Sequence, residues 1–138
     1  MTTIEEHEKI AKELLEDINE KIRSNLLVDR QKIIGFAASE VATNLFAILL
    51  HKERLVEPGF NVNHWFFASK KIAEEKFSFN INKKEKILDL LVSQEDYRNK
   101  LCHGREKEAK IVNSAIKNLF ELKQLIEGEL NSKKEKNE

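Results

Sequence analysis

The sequence predicts an all-α fold, a bundle of four to five helices. Its 138 residues include one Pro and four Gly, so residues that break helices are few. Apolar residues make up 41% of the chain and charged residues 35%, a mixture typical of amphipathic helices. Runs of β-branched residues with alternating polarity, which would predict strands, are absent from the sequence.

The first helix is predicted from its capping residue and its periodicity. Thr2 or Thr3, each followed three residues later by a Glu, is typical of the first turn of a helix. Apolar residues then recur on one face to about Asn25, with Glu and Lys on the other faces. The segment therefore predicts an amphipathic helix that packs one apolar stripe against the core.

The second helix is predicted to be the central one. It is expected from about Arg30 to Arg54, with Asp29 as its capping residue, and it is apolar almost all round. Such a helix has to be covered on several sides, and the polar residues that interrupt it favour a core helix over a membrane span. Gly35 lowers its helix propensity, and we expect this glycine to let a neighbour approach closely.

Two further helices are predicted after the loop Glu57-Pro58-Gly59. Asn63 is expected to cap a short third helix, and Asn82 with Glu85 resembles a capping pair for the fourth. The fourth helix is expected to continue until Gly104 interrupts it, since glycine commonly ends helices.

The last helix completes the predicted domain. It is expected from about Glu106 to Leu130, with an apolar inner side. Residues 1–130 should therefore form one helical domain. Residues 131–138 (NSKKEKNE) contain no apolar residue and are expected to be a disordered polar tail.

The charge balance excludes a general attraction to nucleic acid. The formal net charge is zero, from 24 basic and 24 acidic residues, so any nucleic-acid role requires a local basic cluster. Three lysines, Lys83, Lys84 and Lys86, form one such cluster, which is most simply a solvated face.

Cysteine and histidine usage indicates the compartment and the absence of a metal site. The single cysteine, Cys102, excludes an intramolecular disulfide framework, suits a reducing compartment and is expected to be a packed, inert thiol. The first twenty residues are charged and do not resemble a signal peptide. We therefore expect a cytoplasmic protein without membrane association.

No histidine or cysteine spacing is typical of a metal site, so no metal or cofactor is expected.

The segment Arg98-Asn99-Lys100-Leu101-Cys102-His103-Gly104 carries the clearest chemistry in the chain. Histidine both accepts and donates a proton near neutral pH, and the planar fork of arginine fits a phosphate. Asn99 and His103 are four apart and share a helix face, whereas Arg98 lies roughly 140° away from His103 on an ideal helix. Arg98 and His103 therefore converge only if the helix ends near His103, and Gly104 supplies a reason for that end.

The same residues also fit an ordinary helix terminus. Helices often end in Gly, with basic residues in the last turn facing the negative end of the helix dipole. Arg98, Lys100 and His103 before Gly104 match this description without any catalysis. The spacing alone leaves both interpretations open.

The motif in its setting resembles the HEPN domain family. Arg-Asn-x3-His-Gly lies late in a helical bundle and is followed by a long closing helix. HEPN domains have a four- or five-helix fold and an Arg-x4-6-His motif in which Asn commonly follows the Arg. The family often has an acidic residue in a Glu-x3-Lys pattern on its central helix, which Glu40 matches. The resemblance covers roughly residues 5 to 130.

The resemblance implies metal-independent RNA cleavage by a homodimer, with the two motifs facing each other across a shared cleft. His103 would be the general acid/base, Arg98 would neutralise charge on the phosphorane, and Asn99 would orient the phosphate or the His103 ring. Glu40 would support the site. The expected products are a 2′,3′-cyclic phosphate and a 5′-hydroxyl, and the implied setting is a toxin–antitoxin or other defence system.

Two positions depart from the family pattern and keep a second interpretation open. Asn44 replaces the lysine of the Glu-x3-Lys pattern, and Arg105 stands where the toxin branch paired with a nucleotidyltransferase antitoxin has Tyr. Many members also resemble binding modules. The alternative is therefore a non-catalytic nucleotide-binding or dimerisation module that partners a nucleotidyltransferase or another protein.

Other polar and aromatic residues have structural interpretations. Glu40 lies on an apolar helix, so we expect its carboxylate to bond a helix terminus or Arg98 more often than to take part in chemistry. Thr43 is expected to bond its own helix backbone. Trp65, Phe66 and Phe67 could stack on bases, but helical spacing favours packing.

Overall fold

A computed structural model of the chain describes the backbone of residues 3–136 and the side chains of residues 3–132. The described residues form five α-helices and one 3-10 turn, with no strand among them. The all-α class and the bundle of four to five helices are thereby confirmed. The helices are α1 (Ile4–Arg23), α2 (Gln31–Lys52), α3 (Lys70–Lys76), α4 (Lys84–Cys102) and α5 (Ala109–Lys136), with the 3-10 turn at His64–Phe67.

Helix α2 is the centre of the bundle, as its sequence predicts. It packs against α1, α4 and α5, and these helices bury 16 of its 22 residues. Within residues 3–136 it is the one helix long and apolar enough to cross a membrane, yet 83% of its most apolar stretch is buried inside the bundle. Its apolar surface is thus covered by neighbouring helices.

The helix starts agree only in part with the predicted caps. Thr3 caps α1, since its Oγ1 accepts a hydrogen bond from the backbone N–H of Glu6, while Thr2 lies outside the described residues. Asp29 is not the cap of α2. That helix begins one residue after Arg30, which occupies the N-cap position without a side-chain bond.

The third and fourth helices also begin differently from the prediction. The segment after Asn63 first forms the 3-10 turn, and α3 starts only after Ser69, whose Oγ accepts from the N–H of Ile72. The expected capping pair before α4 is wrong as well. Lys83, in the left-handed conformation with φ +58°, precedes that helix, and no side chain caps it.

The end of α4 leaves only His103 and Gly104 of the motif outside regular structure. Helix α4 ends at Cys102, His103 has an extended backbone, and Gly104 has φ +77°, so the predicted break at this glycine is confirmed. Helix α5 runs to Lys136, past its predicted end at Leu130, because the added Lys and Glu residues are good helix formers. It thus includes most of the segment expected to be a polar, disordered tail, and residues 137–138 lie outside the described residues.

Gly35 brings α2 and α4 into close contact. A Cβ atom at this position would lie 2.8 Å from the Cβ of Leu101 and 3.3 Å from the Sγ of Cys102. The expected close approach is confirmed, and the neighbour is the last turn of α4. The motif therefore lies against the N-terminal half of α2.

Candidate functional site

The motif lies at the C-terminal end of α4, where the helix gives way to a loop. Asn99 is exposed in the last helical turns, and His103 is exposed at the C-cap position with φ −126° and ψ 150°. Because His103 has left the helical path, the wide angular separation from Arg98 on an ideal helix no longer applies. The helix end required for the two side chains to converge is present.

Arg98 lies partly within the wall of the bundle without a protein partner. Its side chain is half-buried, and its Nε is buried and makes no hydrogen bond. Among the described residues the guanidinium forms neither an ion pair nor a hydrogen bond, and Nε is its one buried nitrogen. A buried donor without a partner costs about 1–3 kcal/mol, so an arginine held this way is suited to an anion from outside the chain.

The charge of Arg98 acts on the Cys102 thiol. Burial raises the pKa of Cys102, the positive charge of Arg98 opposes that rise, and Glu95 adds to it. The Cys102 Sγ also lies 3.4 Å from the backbone oxygen of Lys32, to which it donates. Arg98 and Cys102 are four residues apart in α4 and so lie on the same side of that helix, which at Cys102 faces the start of α2.

The sequence did not predict that a histidine pairs with a buried carboxylate next to the motif. Glu95 is 5% exposed and lies three residues before Arg98. The Nδ1 of His64, in the 3-10 turn, is 2.8 Å and 3.0 Å from the two carboxylate oxygens of Glu95. Glu95 thus pairs with this histidine and leaves Arg98 without a counter-ion. The position of Glu95 on the apolar side of α4 was a signal of a buried carboxylate, but nothing local in sequence indicates its partner.

Asn99 lines a groove beside this pair. The groove encloses about 370 Å³ between α4 and the end of the 3-10 turn, and Glu95, Tyr97 and Ala68 also line it. Its exposed acidic residue, Asp96, is neutralised by Lys100 at 2.9 Å, and this hydrogen bond raises the pKa of Lys100. The groove therefore presents an amide and few uncompensated charges.

Gln31 fixes the loop that follows the motif. Its carboxamide is buried, and it accepts from the N–H of Lys107 at 2.6 Å while donating to the carbonyl of Lys107 at 3.1 Å. The same Nε2 donates to the carbonyl of Val28 at 3.0 Å. The loop carrying His103 and Gly104 is thereby attached to the first turn of α2.

Glu40 is not joined to the motif. Its side chain is half-buried, and no hydrogen bond or ion pair of its carboxylate is found among the described side chains, so the expected bond to a helix terminus or to Arg98 is absent there. Its backbone oxygen accepts from Thr43 Oγ1, as predicted for that threonine, and from Asn44 Nδ2 at 2.7 Å. Asn44 Oδ1 also accepts from His7 Nδ1 at 2.7 Å, so this residue joins α2 to α1.

The lysine cluster lies away from the motif, and two of the three aromatic residues belong to the core. Lys83, Lys84 and Lys86 lie at the start of α4, 12 to 15 residues and therefore about 18–23 Å before Arg98. Phe66 and Phe67 are buried as packing predicts, whereas Trp65 is 57% exposed. No group of three or more His, Cys, Asp or Glu side chains within the described residues could hold a metal ion.

In comparisons with known proteins, the chain matches no family model, no curated protein and no solved structure. The chemistry of the site therefore follows from its own side chains. These are an unpaired guanidinium at Arg98, an amide that lines a groove at Asn99, and an exposed imidazole at His103.

Proposed function

We propose that this chain is a metal-independent endoribonuclease of the HEPN type. The observation that carries the proposal is the Arg98 guanidinium, whose buried Nε has no partner among the described residues. The terminal nitrogens of Arg98 are not among the buried unpartnered atoms, so a phosphate could bind there and neutralise the charge. The exposed imidazole of His103, five residues later at the end of the same helix, supports cleavage in addition to binding.

The proposed reaction uses the substrate's own nucleophile. The ribose 2′-hydroxyl loses its proton to a base and attacks the adjacent phosphorus, while the bond to the 5′-oxygen breaks and that oxygen gains a proton from an acid. His103 supplies acid/base catalysis and Arg98 stabilises the charge on the phosphorane. Asn99 orients the phosphate from the groove. The products are a 2′,3′-cyclic phosphate and a 5′-hydroxyl.

A homodimer is the proposed active form, acting in the cytoplasm as a component of a toxin–antitoxin or other defence system. Two large apolar side chains near the start of α2, Ile33 and Phe36, are 52% and 47% exposed. Exposed apolar residues of this size support a protein contact at this end of the bundle, where Gly35 meets α4.

The direct test is cleavage of end-labelled RNA by the purified protein in EDTA. We expect 2′,3′-cyclic phosphate ends from the wild type, and a loss of about 100-fold to 10 000-fold in rate for His103→Ala and for Arg98→Ala. His51→Asn is the matched control, because this half-buried imidazole donates to the Phe60 carbonyl at the far end of α2. Equal activity of wild type and His103→Ala would refute the proposal.

A second candidate is a non-catalytic module that binds a nucleotide and partners a nucleotidyltransferase or another protein. The groove of about 370 Å³ that Asn99 lines favours it, since a nucleotide held there would have its phosphate next to Arg98, the neighbour of Asn99 in sequence, whether or not His103 reacts. This function predicts that nucleotides raise the melting temperature of the wild type and of His103→Ala equally, and fail to do so for Arg98→Gln. RNA would then stay intact.

A further inference from the structure

The pair formed by His64 and Glu95 has the arrangement of a carboxylate that orients an imidazole. The His64 side chain is 32% exposed and the Glu95 side chain 6% exposed, so the carboxylate is inside and the ring reaches the surface. Both carboxylate oxygens lie within 3.0 Å of the same ring nitrogen, Nδ1. A geometry of this kind fixes both the ring orientation and the position of its proton.

The tautomer follows from the chemistry of the two groups. Ionised carboxylate oxygens only accept hydrogen bonds, so His64 Nδ1 carries the hydrogen. The other nitrogen, Nε2, has no partner among the described residues and is not among their buried unpartnered atoms. Nε2 is therefore the ring nitrogen left to take a proton from a substrate, which is the position required of a general base.

The chain direction places His64 next to the motif. Lys70 pairs with Asp89 and His64 pairs with Glu95, so the segment from 64 to 70 runs opposite to α4. Within this segment His64 contacts Glu95, three residues before Arg98, and Ala68 lines the groove that Asn99 also lines. Asn99, which lies on the same side of α4 as Glu95, belongs to the motif.

Glu95 and Asn99 are four residues apart and lie on one side of α4. His103 follows four residues after Asn99, at the end of the helix, where its backbone is extended. Asn99 is in the middle and lines the same groove as Glu95. The His64–Glu95 pair and His103 are thus attached to α4 before and after Asn99 in the sequence, and a sugar–phosphate unit held by Asn99 and Arg98 would bind next to this pair.

We infer that His64 is a second catalytic residue of the proposed ribonuclease, the general base, and that Glu95 is its positioning residue. The inference rests on the proposed function and assigns its base and its acid to two different histidines. His64 Nε2 takes the proton of the 2′-hydroxyl as the bond from O2′ to phosphorus forms. Protonated His103 gives its proton to O5′ as the bond from phosphorus to O5′ breaks. The exchange of one proton with water then restores both rings, and no metal or redox partner takes part.

The decisive variant is His64→Asn, which removes the base and keeps a donor for Glu95. The amide nitrogen of asparagine stands in for Nδ1, so the buried carboxylate stays paired and the fold is preserved, as a melting curve would verify. We expect kcat to fall about 100-fold to 10 000-fold. Binding of an uncleavable RNA with a 2′-deoxy residue at the scission site should change less than about twofold, since Arg98 and Asn99 are intact.

The pH profile separates catalysis from a structural role. The acidic limb of the pH profile of kcat should differ between the wild type and His64→Asn, because the variant lacks the proposed base. Glu95→Gln should also lower kcat at least tenfold, because an amide can donate to Nδ1 and so select the wrong tautomer. A purely structural pair would change the melting temperature of Glu95→Gln and leave the shape of the profile unaltered.

The outcomes distinguish this inference from the proposed function. An active wild type, an inactive His103→Ala and a His64→Asn variant with normal kcat and an intact acidic limb would overturn the role of His64 alone. An inactive wild type would overturn the ribonuclease and the base together. The expected result is that His103→Ala and His64→Asn are both slow while His51→Asn, the imidazole at the other end of α2, stays within about twofold of the wild type.

Discussion

The Cβ of Leu101 lies 2.8 Å from the point where a side chain at Gly35 would begin. Leu101 is 2% exposed and stands in the sequence between Arg98 and His103. The missing side chain of Gly35 therefore sets how close the motif turn of α4 comes to α2. The motif residues Arg98 and His103 flank this contact in the sequence.

Gly35→Ala should destabilise the protein by about 1–3 kcal/mol. Alanine is the better helix former by about 0.5–1 kcal/mol, but the new methyl group would overlap the backbone-attached Cβ of Leu101, which cannot rotate away. Equilibrium unfolding in urea measures the difference. We also expect weaker binding of RNA, because α2 and α4 have to separate at Arg98.

Gly128→Ala is the matched control for Gly35→Ala. Gly128 lies in α5, is exposed, and has no atom within 4 Å of its would-be Cβ. Only the higher helix propensity of alanine then affects stability, and the variant should be more stable by about 0.5–1 kcal/mol. Equal effects at the two glycines would show that the contact with Leu101 is not tight.

Gln31→Ala should release the loop that carries His103. Both backbone groups of Lys107 bond the buried Gln31 carboxamide, so truncation leaves them without partners and should cost about 1–3 kcal/mol. Hydrogen exchange of the Lys107 amide should accelerate more than that of core amides in α2. Gln124→Ala, at an exposed position of α5, should change stability by less than about 0.5 kcal/mol. Unchanged exchange at Lys107 in Gln31→Ala would contradict the role of this bond.

The parts of the fold that depend on local sequence could be predicted. The central position of α2 follows from apolar residues on all its faces, and the end of α4 follows from Gly104. Arg98, Asn99 and His103 share a helix end because they are close in sequence. The helix starts were less predictable, since Lys83 in the left-handed conformation rather than a polar cap precedes α4.

The parts of the site that depend on long-range pairing could not be predicted. His64 and Glu95 are 31 residues apart, and Gln31 and Lys107 are 76 apart. Such pairs form only because packing brings two elements together, and no periodicity in a single chain specifies the partner. For the same reason Glu40, the one polar residue suspected on the apolar helix, was expected to bond Arg98, whereas Glu95 is the buried carboxylate near that arginine.

Asn44→Lys, which would restore the Glu-x3-Lys pattern of HEPN domains, should destabilise this chain by several kcal/mol. Asn44 is 7% exposed and accepts from the buried His7, so lysine would place an ammonium against a buried ring and leave Nδ1 without an acceptor. Asn113→Lys, at an exposed position of α5, is the control and should be nearly neutral. A stable Asn44→Lys variant would indicate that the lysine reaches Glu40 or solvent.

The charge of Arg98 should be detectable through the reactivity of Cys102. Burial raises the pKa of this thiol and Arg98 lowers it, so the guanidinium increases the fraction of reactive thiolate. At pH 8 the folded protein should react with iodoacetamide more slowly than the denatured chain, because a raised pKa leaves less thiolate. The rate of alkylation therefore reports whether the pKa of the Cys102 thiol is raised or lowered.

Arg98→Gln should slow the alkylation of Cys102 further and move its pH dependence to higher pH, whereas Arg98→Lys, which keeps the charge, should stay close to the wild type. The reason is that Arg98 is the largest favourable charge acting on the thiolate, so its loss leaves burial and Glu95 opposed by the smaller effect of Lys32 alone. Saturating RNA that is uncleavable should act in the same direction as Arg98→Gln, since a phosphate bound at the guanidinium offsets its charge and covers the thiol. Alkylation of the wild type that is indifferent to the bound RNA would place the phosphate elsewhere and remove the main support for the ribonuclease.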